Sequence, residues 1–171
     1  MLKLLIASLI VYYTDVYTLA YTPIDGSNSV SLDIYHGKKI LLVNIATGSG
    51  YVNQLGELQQ LHQQHGDSLI IIAFPSNSFN HEGRSNSEIR QFCQSNYNTT
   101  FVLAQKTSVK GLDIHPVFNW LNRKTENNML ESEVLGDFQK YLINSDGKLI
   151  GEFSPVVSPL SSEIQNAIAS N

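Results

Sequence analysis

Two short apolar runs with a helical pattern between them set the strongest limit on how this chain can fold. Lys39 to Ala46 reads Lys-Ile-Leu-Leu-Val-Asn-Ile-Ala, and Ser68 to Phe74 reads Ser-Leu-Ile-Ile-Ile-Ala-Phe. Runs of this length, apolar without alternation, suit strands buried on both faces. Between them Val52, Leu55, Leu58 and Leu61 or His62 recur at helical spacing over Tyr51 to His65, and Gly66-Asp67 ends the helix. Pro75 is expected to stop the second strand. The three pieces make a βαβ unit, with parallel strands and a right-handed crossover.

The rest of the chain adds helices and a hairpin. Ser76 to Ser87 is polar and reads as a loop. Glu88 to Asn96 reads as a short helix with Ile89, Phe92 and Cys93 on one face, and Pro116 sits near the start of another that packs Val117, Trp120 and Leu121. Phe138 to Asn144 and Lys148 to Phe153 flank Ser145-Asp146-Gly147, a strong hairpin signal. Ser158-Pro159 opens a last helix facing Leu160, Ile164 and Ile168 inward. A parallel pair joined to an antiparallel hairpin and flanked by helices predicts an α/β, thioredoxin-like fold with a central mixed β-sheet.

Composition narrows the function classes. Of 171 residues, 42% are hydrophobic and 15% charged, which suits one globular domain with a real core. The net charge is −4 and no basic run exists, so nucleic acid is excluded as a partner. Cys93 stands alone, which rules out an intramolecular disulfide, a two-cysteine redox cycle and a polythiolate zinc site.

Met1 to Tyr13 carries one lysine before an apolar run. That run has the length of a signal-peptide core and falls short of a membrane span of ~20 residues. We read residues 1–15 as a leader, with a cut that could extend to Ala20, and 16–171 as the domain. The competing reading is a buried first strand from Val11 to Tyr21. The leader implies a periplasmic or secreted protein with no stable membrane span; without it the protein would be cytoplasmic.

Several segments resemble the glutathione peroxidase family, in the family's order from about Ile24 to Ala169. Gly37 to Ala46 is similar to the first core strand, and Phe74-Pro75-Ser76-Asn77-Ser78-Phe79 resembles the Phe-Pro-x-Asn-Gln-Phe signature. Ser87-Glu88-Ile89, Phe92-Cys93 through Asn96-Tyr97, Ile114-His115-Pro116 with Trp120-Leu121, and Phe138 to Leu142 with Asp146-Gly147-Lys148 match later landmarks. The look is that of bacterial, leader-bearing members. The family register places a first strand near Val16 to Tyr21.

The resemblance implies a hydroperoxide reductase that needs no cofactor and draws on glutathione or a thioredoxin-like reductant. Its chemistry is attack by a thiolate or selenolate on the O–O bond, then reduction of the sulfenic-type product by a thiol. The family supplies Cys or selenocysteine at the strand-to-helix turn, surrounded by Gln, Trp and Asn. At the positions that match, this chain has Ser49, Ser78, Gly136 and Asp137. A serine hydroxyl is too weak an acid to ionise unaided at neutral pH, and oxygen cannot pass through a sulfenic-type state. Ser78 is too short for the span of Gln, Gly136 removes a wall, and Asp137 adds a negative charge where an anion would form. The expectation is a glutathione peroxidase-like protein without the standard activity, kept as a non-catalytic binding module. The alternative is an active peroxidase using Cys93 or another route.

The remaining candidates have ordinary readings. Cys93 is read as a small buried core residue, with a displaced redox thiol as the functional alternative. Ser49 as a hydrolase nucleophile lacks the Gly-x-Ser-x-Gly pattern, and no motif places a histidine beside it, so it is read as a helix N-cap. His62 and His65 lack a third metal ligand and are read as half-buried or solvated, as are His81 and Glu82 in the polar loop. His115 is taken as a helix-entry residue. Asn98-Thr99-Thr100 would be a glycosylation acceptor only in a eukaryotic secreted protein.

Overall fold

The expected βαβ unit is the centre of the molecule. A computed structural model describes residues 13–170. β3 (Lys39–Ile45) runs parallel to β4 (Leu69–Pro75) in unbroken register from Lys39 opposite Leu69 to Ile45 opposite Pro75, and α1 (Gln54–His65) crosses between them. On the other side of β3 lies β6 (Lys140–Ile143), antiparallel, followed by β7 (Leu149–Phe153) across the Asp146-Gly147 turn. With β5 (Val102–Leu103) on the outer edge, the five-stranded order is β5-β4-β3-β6-β7. A small antiparallel pair, β1 (Ala20–Tyr21) and β2 (Val30–Ser31), precedes it.

The period-2 alternation of β3 divides the core into two layers. Ile40 and Leu42 face one side, with Phe74, Tyr141, Val16, Tyr17, Leu32 and the residues of α3 (Pro116–Asn122). Leu41, Val43 and Ile45 face the other, against Leu55, Leu58 and Leu61 of α1, Ile89 and Cys93 of α2 (Asn86–Tyr97), and Ile164 and Ile168 of α5 (Ser162–Ala169). Burial on both faces is why β3 and β4 carry no polar alternation. The architecture is the α/β mixed sheet that the sequence pattern predicts.

Several boundaries move, each for a local reason. Pro75 ends β4 from inside it, as its last residue: it pairs with Ile45, and its carbonyl accepts from Thr107 N–H at 2.9 Å. Ser49 is not the N-cap of α1. Its hydroxyl accepts from Tyr51 N–H at 3.2 Å, a local serine turn that delays the helix to Gln54, whose N-cap Asn53 makes no side-chain bond. The last helix begins at Ser162 because Ser161 is its cap, while Ser158 is spent on a preceding turn to Leu160 N–H. Phe138 has φ +66°, outside the strand region, so β6 begins at Lys140. The sequence reading missed β5, β2 and the four-residue α4 (Lys124–Asn127), all too short for a periodic signal.

Most of the expected leader lies outside the described residues. Val16–Thr18 is a 3₁₀ turn capped by Asp15 rather than a strand, and only Ala20–Tyr21 of the expected first strand pairs. Val16 and Tyr17 are core residues, and Trp120 Nε1–H donates to Thr14 O at 2.8 Å. A cut after Ala20 would remove two buried side chains. Among the described residues no helix is long and apolar enough to cross a membrane.

Two consequences are measurable. Gly147 has φ +77°, and a Cβ there would lie 2.6 Å from Tyr17 Cε2. Left-handed strain and overpacking together should make Gly147→Ala cost about 2–4 kcal/mol in urea unfolding. A loss below about 0.5 kcal/mol, the range of neutral surface changes, would mean that the hairpin turn does not press on Tyr17.

Lys140 is fully buried, donating to Pro155 O at 3.2 Å and Val157 O at 2.5 Å, and burial pushes its ammonium down to about 8, against a smaller opposing effect of Glu57. Between that value and the ordinary lysine value of 10.5 the unfolded chain binds more protons, so this residue's contribution to stability rises with pH. Tyr21 and Tyr141, pushed up by burial, act in the opposite sense once unfolded tyrosine ionises near 10. The comparison therefore belongs between roughly pH 8 and pH 9.5. There the stability of the wild type should climb relative to Lys140→Met; parallel profiles would contradict the assignment.

Candidate functional site

Because β3 and β4 are parallel, the loops that follow them leave the sheet at the same edge. The first is Ala46 to Asn53, carrying Ser49; the second is Ser76 to Ser85, carrying Ser78, His81 and Glu82. The approach to β6, carrying Gly136 and Asp137, joins them there because β6 is antiparallel to β3. Topology thus gathers Ser49, Gly136, Asp137 and the second loop.

A buried carboxylate fixes the two loops together. Glu82 has no solvent exposure. It accepts from Thr47 N–H at 2.7 Å, Thr47 Oγ1–H at 2.8 Å and Arg84 N–H at 3.2 Å. The Arg84 guanidinium donates to the same Thr47 hydroxyl at 2.6 Å. One residue along, Gly48 N–H donates to His81 O at 3.0 Å, and a Cβ on Gly48 would stand 2.7 Å from that oxygen. Glycine is required for this approach. The reading of Glu82 as a solvated loop residue is therefore corrected: three local donors make its burial tolerable.

Asn44 holds the third segment. Its Nδ2 donates to Gly136 O at 3.0 Å, and its carbonyl accepts from Phe138 N–H at 2.6 Å. Clamped this way, and with the Phe138 ring buried, the backbone takes the positive φ at Phe138 and turns the Asp137 side chain inward. The Asp137 side chain is 2% exposed, and its Oδ2 lies 2.5 Å from His81 Nδ1, while Oδ1 is buried without a partner. His81 is half exposed, as read from the loop, but its ring is tied to Asp137, so Asp137 is not an isolated charge beside Ser49. The topology rule for parallel strands could have exposed this pair; the polarity of the loop concealed it.

The four positions singled out from the sequence divide. Ser49, 6% exposed, lies on the turn tied to His81, and Gly136 and Asp137 lie across from it. Ser78 turns elsewhere: its hydroxyl accepts from Val109 N–H at 3.1 Å and from Ser76 Oγ–H at 3.0 Å. It lines a separate groove with Lys106, Thr107 and Asp113. Gly136 is closed off by Pro155, whose Cγ would be 3.2 Å from an added Cβ.

Cys93 is fully buried on the sheet-facing side of α2. Burial, helped by the charge of Glu82, pushes its thiol up to about 12. At neutral pH the buried thiol stays protonated. His62 and His65 diverge: His62 stacks edge-on against Phe101, while His65 Nε2 bonds Gln165. His115 Nδ1 caps α3 by accepting from Val117 N–H at 3.2 Å, as expected of a helix-entry residue, and burial lowers its pKa. Asn98 is exposed and ends α2 with φ +51°. Among the described residues no three His, Cys, Asp or Glu side chains converge as metal ligands.

Comparison with known proteins places the chain as a whole. The family model described as Glutathione peroxidase matches residues 16–122. A glutathione peroxidase of Lactococcus lactis subsp. cremoris (strain MG1363) is 36% identical over 136 residues, covering 78% of this chain and 86% of that protein. The apo crystal structure of Trgpx superimposes with a TM-score of 0.70 at 27% identity, covering 93% of this chain and 98% of that one. A thioredoxin family thiol:disulfide interchange protein from Chlorobium tepidum TLS shares the fold, with a TM-score of 0.64 at 10% identity over 92% of this chain and 95% of that one. With its thioredoxin-like fold and a family match across more than half its length, the chain belongs to the glutathione peroxidase family.

Proposed function

We propose that this protein does not reduce hydroperoxides by a thiol or selenol route, and that it acts as a binding module on the family scaffold. One observation carries the reading: the sulfur and the site are in different places. Cys93, the sole thiol, is sealed in the core and held in its neutral form, while the turn beside His81 and Asp137 carries the oxygen of Ser49, itself 6% exposed. Attack on an O–O bond needs an accessible thiolate. The short apolar run near the N-terminus supports a location outside the cytoplasm.

The ligand face in this reading is the edge where the three loops meet. Tyr51, Leu135 and Val156 are exposed there, at 39%, 68% and 69%, each one or two residues from Ser49, Gly136 or Pro155. Pro155 is anchored from beneath by Gln54 Nε2–H, which donates to its carbonyl at 2.8 Å.

The test is hydroperoxide consumption by the purified chain with glutathione, and separately with a thioredoxin system. Rates should equal the protein-free background, and Cys93→Ala should not change them. Turnover lost in Cys93→Ala would establish Cys93 as the reactive thiol. Turnover that survives it would require a route without sulfur. Either result contradicts the proposal.

A further inference from the structure

We propose that Ser49, His81 and Asp137 form a nucleophile, base and positioning carboxylate for acyl transfer from small neutral esters. The inference goes beyond the reading above. It uses the same edge of the sheet but does not depend on peroxide chemistry being absent.

The tautomer follows from the contacts. Asp137 presents a carboxylate oxygen 2.5 Å from His81 Nδ1, so Nδ1 carries the proton and Nε2 carries the lone pair. The imidazole is about half exposed, with 53% of the His81 side chain accessible, so Nε2 can meet a substrate. Ser49 accepts from Tyr51 N–H, and its own hydroxyl proton has no acceptor among the described residues. The two loops are joined by the Gly48–His81 backbone bond and by Glu82, which fixes where His81 stands relative to the serine turn. Ser49 and His81 are not hydrogen-bonded to each other in this structure; such links commonly close only with substrate present. Gly50 N–H, next after the nucleophile, donates to no group among the described residues, and the space where a Gly50 Cβ would lie is open. It is the natural donor to an oxyanion.

The step balances without an added reagent. Ser49 Oγ bonds to the ester carbonyl carbon while its proton passes to His81 Nε2. The bond to the alcohol oxygen breaks, and His81 returns the proton to the departing alcohol. Water then attacks the acyl-serine, giving one proton through His81 back to Ser49 Oγ and releasing the carboxylic acid. The Asp137 carboxylate disfavours anionic acyl groups, and the exposed Tyr51, Leu135 and Val156 favour apolar ones.

The test uses the full chain with p-nitrophenyl acetate and, separately, a fluorophosphonate that forms an O–P bond to serine with loss of fluoride. Nitrophenolate release should exceed that of Ser49→Ala by about a hundredfold, and His81→Gln should fall nearly as far. Asp137→Asn should lower kcat by at least about tenfold with little change in KM, because it positions the base and touches no substrate. Peptide mapping should place the phosphonate on Ser49. Equal rates for wild type and Ser49→Ala, or an adduct confined to another residue, would overturn the proposal.

A second measurement stands apart from turnover and from the isosteric changes. In a Cys93→Ala background, Ser49→Cys introduces the sole thiol, and its alkylation by iodoacetamide at neutral pH should slow by at least about tenfold when His81→Gln is added. Equal alkylation rates would show that the histidine does not reach the serine position, and would sink the inference. Hydroperoxide consumption together with ester cleavage would contradict only the earlier reading.

Discussion

The geometry of the site depends on one buried carboxylate. Glu82 sits without solvent between the loops that follow β3 and β4, and its bonds to Thr47 and to Arg84 N–H set the distance between them. Hydrogen bonds to a charged group contribute about 1.5–3 kcal/mol each, and leaving such a charge unpaired costs more than the bonds themselves. The contact therefore tolerates few alternatives. With Thr47 held, Gly48 meets the carbonyl of His81, and the imidazole is delivered to Asp137. Asn44 performs the matching task from β3, clamping Gly136 and Phe138 so that Asp137 turns inward.

This arrangement separates scaffold from chemistry. The sheet, the crossover and the family's ordered landmarks persist, so the parallel strands still bring two loops to one edge. At that edge the turn carries a serine hydroxyl, that of Ser49. The one thiol, Cys93, serves packing among Ile89, Leu55 and Leu58. Oxygen occupies the turn, beside a histidine whose partner is a carboxylate. A hydroxyl in that setting has no redox chemistry, and it lies on a turn tied to the histidine loop; the binding and acyl-transfer proposals rest on those two facts.

Much of the fold was legible in the residues because its strongest signals are local. The unbroken apolar runs of β3 and β4 marked strands buried twice over, and Asp146-Gly147 marked the hairpin; both are where expected. The errors fall where a side chain competes with the backbone pattern. Ser49 engages Tyr51 N–H and so postpones α1, and Phe138 spends its residue on a left-handed turn instead of a strand. The site was half legible. Ser49, Ser78, Gly136 and Asp137 were named from the resemblance to the glutathione peroxidase family, and of these Ser78 faces Val109 and a different groove. His81 and Glu82 read as half-buried or solvated because a polar loop gives no sign of which member will be sealed, and it is Glu82. Their roles arise from pairing across more than thirty residues to Thr47 and more than fifty to Asp137, contacts that no local pattern encodes.

The central claim is that no thiolate can be formed where a hydroperoxide can reach it. Intact-mass analysis after exposure of the native chain to excess hydroperoxide, with a sulfenic-acid trap such as dimedone present, tests it most directly. The expected result is an unmodified Cys93 for as long as the fold is intact, with labelling only after unfolding. A dimedone adduct on Cys93 in the native protein, formed within the time the family's enzymes would need to turn over, would contradict it.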